Sequence, residues 1–147
     1  MSDNTALITS PAADLAVFDR LVGSWSLSGG ISGATRFEWH EGGFFLVQRS
    51  DIHHEGQTIR SVEYIGHDRS FGEAPSADIV SRVYTTTGDT LTYVWEFDGV
   101  ELTIWGGEKG SPAYFRGEFD SSGAVCKGDW VWPGGGYSSV MTRIAAR

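Results

Sequence analysis

Cysteine occurs once in the 147 residues, at Cys126. No internal disulfide framework can form, and the usage fits a reducing compartment. Basic residues are few: 11 Lys and Arg stand against 19 Asp and Glu, a formal net charge of −8. Arg36, Arg49, Arg60, Arg69, Arg82, Arg116 and Arg143 are spread singly. With no basic patch to offset repulsion from a phosphate backbone, nucleic-acid binding is not expected. No apolar run approaches the length that crosses a bilayer as a helix. Residues 1–13 lack the basic start and apolar stretch of a signal peptide. The expectation is a soluble, cytoplasmic protein without a membrane partner.

Metal and nucleophile motifs are also missing. The four histidines are His40, His53, His54 and His67, with no His-x-His pair. His53 and His54, adjacent on a strand, point to opposite faces and cannot enter one site together. No cysteine pair at ligand spacing, no Gly-x-Ser-x-Gly elbow and no phosphate loop occurs. No metal and no cofactor is expected.

What the chain does have is glycine, 20 residues or roughly twice average usage, and aromatics at 13%, six of them Trp. Large rings can bury a core, so disorder is excluded, and the glycines follow no collagen period. Residues 1–10 are small and polar and read as a disordered N-terminus. Residues 11–147 read as one domain. Ser10-Pro11 looks like a helix cap followed by proline at the first helical position. Leu15, Phe18, Leu21 and Val22 then recur at helical spacing, predicting a short amphipathic helix over about 11–22 that stops at Gly23.

Everything after it alternates on a period of two, cut by glycine turns. Strands are predicted near 24–29, 34–41, 44–54, 57–66, 78–87, 90–97, 100–106, 112–120, 124–132 and 137–145. Residues 67–77 form the longest break and the expected mobile loop. About ten antiparallel strands in series can close into a barrel or split into a sandwich. Closure removes exposed edges, so an all-β, roughly ten-stranded up-and-down barrel behind one short helix is the expected fold.

Leu21-Val22-Gly23-Ser24-Trp25 resembles the opening of the lipocalins and fatty-acid-binding proteins, together the calycins. In those families the Trp closes one barrel end and an Arg from the last strand lies over its ring. The resemblance therefore implies structural roles for Gly23, Trp25 and Arg143. Residues 37–49, Glu63 to Asp68, Phe115 to Phe119 and Lys127 to Trp130 together resemble a bacterial lipocalin-like domain family of unknown function. That family carries no assigned catalytic residues. The haem-binding barrel nitrobindin opens similarly, but its iron is held by a His near the C-terminal end, and no His follows His67.

Aromatic residues fall on single faces of their strands: Phe37 with Trp39, Tyr93 with Trp95 and Phe97, and Trp130 with Trp132. With Trp105 and Phe115 they suggest ring-rich walls. The expected ligand-binding set is Phe37, Trp39, Tyr93, Trp95, Trp105, Phe115, Trp130 and Trp132, around a small, largely apolar molecule. Which faces point inward stays open. In one alternative an Arg with a Tyr, such as Arg82 with Tyr84 or Arg60 with Tyr64, lies inside and binds an anionic head group. A second alternative is an isomerase, cyclase or hydrolase acting on a hydrophobic metabolite, with His40, Glu38 and Arg49 as the groups to test. A third is an interaction module whose exposed aromatics form a homo-oligomer interface. Cys126 shares its face with Trp130 and Trp132, which predicts a buried, protonated thiol.

Overall fold

The computed structural model describes residues 10–145. Ten strands follow one helical segment: β1 (Gly23–Gly29), β2 (Ser32–Trp39), β3 (Phe45–His54), β4 (Gln57–His67), β5 (Ile79–Thr85), β6 (Thr90–Phe97), β7 (Glu101–Gly106), β8 (Tyr114–Phe119), β9 (Val125–Trp132) and β10 (Gly135–Ala145). Each pairs antiparallel with its sequence neighbour, and β1 also pairs with β10, so the sheet closes into a barrel. Closure satisfies every edge and leaves two surfaces with opposite demands. Inward positions carry Leu27, Phe37, Trp95, Ile104 and Phe115, while outward positions carry ion pairs such as Arg36–Glu38 and Arg82–Asp68.

Turns close where glycine allows it. At Gly99 (φ 97°) and Gly123 (φ 72°) the backbone enters the left-handed region, which an L side chain resists. Gly117 and Gly128 face each other across β8 and β9. A Cβ on Gly128 would stand 2.5 Å from the Arg116 carbonyl and 2.6 Å from the Phe115 ring. That ring occupies the space the two missing side chains leave. The last strand begins two residues before the expected start at 137, because Gly135 already pairs with Trp132.

The helical segment is a 3-10 helix over Ala13–Leu21, shorter than the predicted span. Leu15, Phe18 and Leu21 stand three apart, and a helix with three residues per turn puts all of them on one face. Ser10 does not cap it; Ala12 is the cap residue, without a side-chain hydrogen bond. The expected disorder of residues 1–10 falls, except at Ser10, outside the described residues.

This helix plugs one barrel end. Phe18 packs against Phe97 and Trp95, with ring centroids 5.7 and 6.3 Å apart, and Phe97 and Trp25 meet Phe119. Fully burying such side chains stabilises by about 1.5–3 kcal/mol each. The Arg143 guanidinium lies 4.2 Å from the centroid of Trp25 and donates to the Val22 and Arg20 carbonyls, at 2.6 and 2.7 Å. Trp25 Nε1 donates to the Leu21 carbonyl at 2.9 Å. The last strand thus holds carbonyls at the end of the helix, where the chain has no partner of its own. On the other side, His67 bridges the Ser76 carbonyl (2.7 Å) and Asp14 of the helix (2.8 Å). The loop over residues 68–78 is tied at its base, with Ser76 N–H donating to the Asp68 carbonyl at 2.7 Å.

Candidate functional site

Above the plug the barrel is hollow. A cavity of about 850 Å³ opens at the barrel end opposite the helix, where the hairpins β1–β2, β3–β4, β5–β6, β7–β8 and β9–β10 form the rim. Strand parity divides its wall into two. Inward positions of β6 to β9 are ring-rich and apolar: Tyr93, Trp95, Leu102, Ile104, Phe115, Cys126, Trp130 and Trp132. Inward positions of β2 to β5 are largely polar: Thr35, Gln48, Ser50, Ser61, Glu63 and Thr85. Trp130 meets Tyr93 and Phe115 at 5.8 and 5.5 Å between centroids. At the rim Tyr137 packs between Trp132, which it meets edge-on, and the tilted ring of His54.

Glu63 is the chemical centre of the polar wall. Ser81 Oγ donates to its Oε2 at 2.6 Å, and Trp95 Nε1 lies 3.2 Å from Oε2 and 2.9 Å from Ser81 Oγ. Both donors fall on Oε2, leaving Oε1 without one. Burial pushes the carboxyl from 4.5 up to about 7, against the two hydrogen bonds, which pull it down. What surface Glu63 keeps faces the cavity, so it is deep in the barrel yet reachable from the mouth. Burial and the neighbouring Glu63 raise Tyr93 to about 12, and burial alone raises Cys126 to about 12. Both stay neutral near pH 7, and a protonated buried thiol is inert.

Gln48 stands opposite Glu63 in the β3–β4 register. Its Nε2 donates to Thr35 Oγ1 at 3.0 Å, and Thr35 in turn shares a hydrogen bond with Ser50 at 2.8 Å. Gln48 Oε1 is buried and has no partner. An unsatisfied buried acceptor is costly and uncommon in folded proteins.

The structure divides the expected aromatic set. Phe37, Tyr93, Trp95, Phe115, Trp130 and Trp132 line the cavity. Trp39 does not: it faces inward at the plugged end, where Nε1 donates to Asp19 of the helix at 2.8 Å. Trp105 does not either. Leu102 and Ile104 take the inward positions of β7, which turns Trp105 outward, between Tyr114 and Arg116 and bonded to Glu96 at 2.6 Å. The alternative of an interior Arg with Tyr is overturned, since Arg60 and Arg82 pair with Asp51 and Asp68 on the outer surface.

None of the three groups singled out for catalysis reaches the cavity. Glu38 pairs with Arg36 outside, and Arg49 is exposed beside Arg36 in the register. His40 lines a separate depression of about 510 Å³ at the plugged end, with His67, Phe44 and Phe45. Glu63 was not among the candidates. Its signal lay in the period of two: Ile59, Ser61, Glu63 and Ile65 share one face, and Glu63 is the acid on an otherwise apolar or small one.

Among the described residues no group of three or more His, Cys, Asp or Glu could hold a metal ion, and no helix is long and apolar enough to cross a membrane. In comparisons with known proteins, no protein-family model and no curated protein matches the chain.

Proposed function

We propose that this chain is a lipocalin-like, calycin-type barrel that binds one small, largely apolar molecule inside its cavity. The carrying observation is the hollow itself, about 850 Å³, walled by aromatic rings on one side and opening at one end. Ligand pockets are commonly of this size, mostly apolar and furnished with a few polar groups that fix orientation. The helix with its Trp25–Arg143 lock at the opposite end supports the calycin reading. A neutral, environment-sensitive dye such as Nile red tests it. The dye should bind one per chain and lose affinity when Trp130→Ala strips a ring from the wall. Binding that is unchanged in Trp130→Ala, or absent altogether, would count against an interior site.

Glu63 favours a second reading, proton transfer on a bound metabolite, because a carboxyl raised to about 7 can both give and take a proton near neutrality. Protein from its own host, analysed by native mass spectrometry, tests this. A co-purifying molecule should take up solvent deuterium with the wild type and not with Glu63→Gln.

A further inference from the structure

The cavity holds an acid with no cation to match it. Among the described residues that line the hollow, Glu63 and Asp89 are acids, and none is Lys, Arg or His. Asp89 sits at the rim beside the β5–β6 turn, whereas Glu63 is deep, near Trp95 and Tyr93. A buried carboxylate without a counter-ion is expensive, and proteins pair such groups or neutralise them. Resting on the reading of the barrel as a binding protein, we infer that the deep end of the cavity is a site for a protonated amine carried on a flat apolar body.

Three features of the wall fit that chemistry. First, Glu63 Oε1 and Gln48 Oε1 are acceptors without donors on adjacent strands in register, and an ammonium brings three N–H donors. Second, the facing wall brings Trp95 within hydrogen-bond distance of the acid, with Tyr93 two residues away on the same strand face and Trp130 packed against Tyr93, and the negative faces of aromatic rings attract a cation. Third, the broad ring-rich wall opposite the polar strands suits the flat body. A carboxylate ligand meets the reverse: an acid at the deep end and no basic side chain to hold it. The interior therefore selects against fatty-acid-type anions and for cations.

Proton linkage follows from the same geometry. The other titratable groups lining the hollow are Tyr93, Tyr137, Cys126 and, at the rim, Asp89; burial raises the first three, which are neutral near pH 7. Binding of an ammonium at neutral pH keeps Glu63 ionised, and so releases a proton to solvent from the fraction that was protonated.

The test uses three probes with one body, a naphthalene bearing a two-carbon arm that ends in an ammonium, a hydroxyl or a carboxylate. Titration calorimetry on the full chain at pH 8 should rank them ammonium, alcohol, carboxylate, with the ammonium at least tenfold tighter than the alcohol. Lowering the pH from 8 to 5 should weaken the ammonium and leave the alcohol unchanged. Glu63→Gln keeps an acceptor for Ser81 and Trp95, and should bring ammonium affinity down to that of the alcohol. An alcohol that binds the wild type as tightly as the ammonium, or an ammonium preference that survives Glu63→Gln, overturns the inference while leaving the binding barrel intact. Failure of all three probes to bind removes the binding reading as well.

Discussion

Replacing Glu63 by Gln should make the protein more stable, and by an amount that depends on pH. In the unfolded chain the Glu63 carboxyl titrates near 4.5, and in the folded chain burial moves it to about 7. Below pH 4.5 both states hold the proton and the site contributes no pH dependence. Between 4.5 and about 7 the folded chain keeps a proton that the unfolded chain has lost, so stability falls as pH rises, and above that window it levels off. At about 1.4 kcal/mol per pH unit, the full window is worth up to about 3 kcal/mol. Gln cannot titrate, yet it fills the same space and can still accept from Ser81 and Trp95. The variant should therefore gain up to about 3 kcal/mol on the wild type between pH 4 and pH 8, a shift in melting temperature on the order of 10 °C for a chain of this size. Urea unfolding followed by Trp fluorescence at pH 4, 5.5, 7 and 8 measures it. Subtracting one protein from the other cancels groups common to both, including Glu96, Asp98 and Asp120, whose lowered pKa values act in the opposite sense. A wild-type-minus-variant difference that stays flat across this range would refute the burial of an unpaired acid.

Other perturbations probe the frame around the cavity. Arg143→Met removes the cation over Trp25 and two charge-assisted bonds to backbone carbonyls, and should cost about 3 kcal/mol in urea unfolding. Gly128→Ala puts a methyl group against the Arg116 carbonyl and the Phe115 ring, so β8 and β9 must part; calorimetry should show a loss of about 1–3 kcal/mol. Cys126, buried and with its pKa pushed up to about 12, should resist iodoacetamide at pH 8 in the native protein and react only once urea unfolds it. Equal labelling of native and unfolded protein would place that thiol at the surface instead.

Strand number and order were legible because two independent signals agree along most of the chain. The inward positions of β2, β6 and β9 carry rings every second residue, and glycines able to take positive φ sit between them, at Gly99 and Gly123. Parity alone does not say which side of a strand is inside. For β7 the largest ring, Trp105, pointed the reading the wrong way, because the smaller Leu102 and Ile104 fill the interior while Trp105 is held outside by Tyr114, Arg116 and Glu96. Trp39 was on the correct face but at the wrong height, a coordinate that depends on where the helix plugs the barrel. Glu63 was the reverse: its face was readable, yet its meaning rests on Ser81 and Trp95, which arrive 18 and 32 residues later in sequence. The kind of helix turned on a repeat of three that also satisfies a spacing of 3.6 over so short a span.

The seam between β1 and β10 has a consequence for synthesis. Trp25 faces Arg143 across it, so the contact that seals the barrel joins the first strand of the sheet to the last one made. Until residues 135–145 emerge, the nine earlier strands leave β1 and β9 as open edges, and the nascent chain offers them to any neighbour. Long-range closure of this kind is slow, since loop-closure entropy must be overcome before the final pairing contributes. A ribosome that stalls before β10 therefore releases an adhesive, open sheet rather than a weakened barrel. On the same grounds the interior cavity comes into being only in the last step of folding, when β1 and β10 meet.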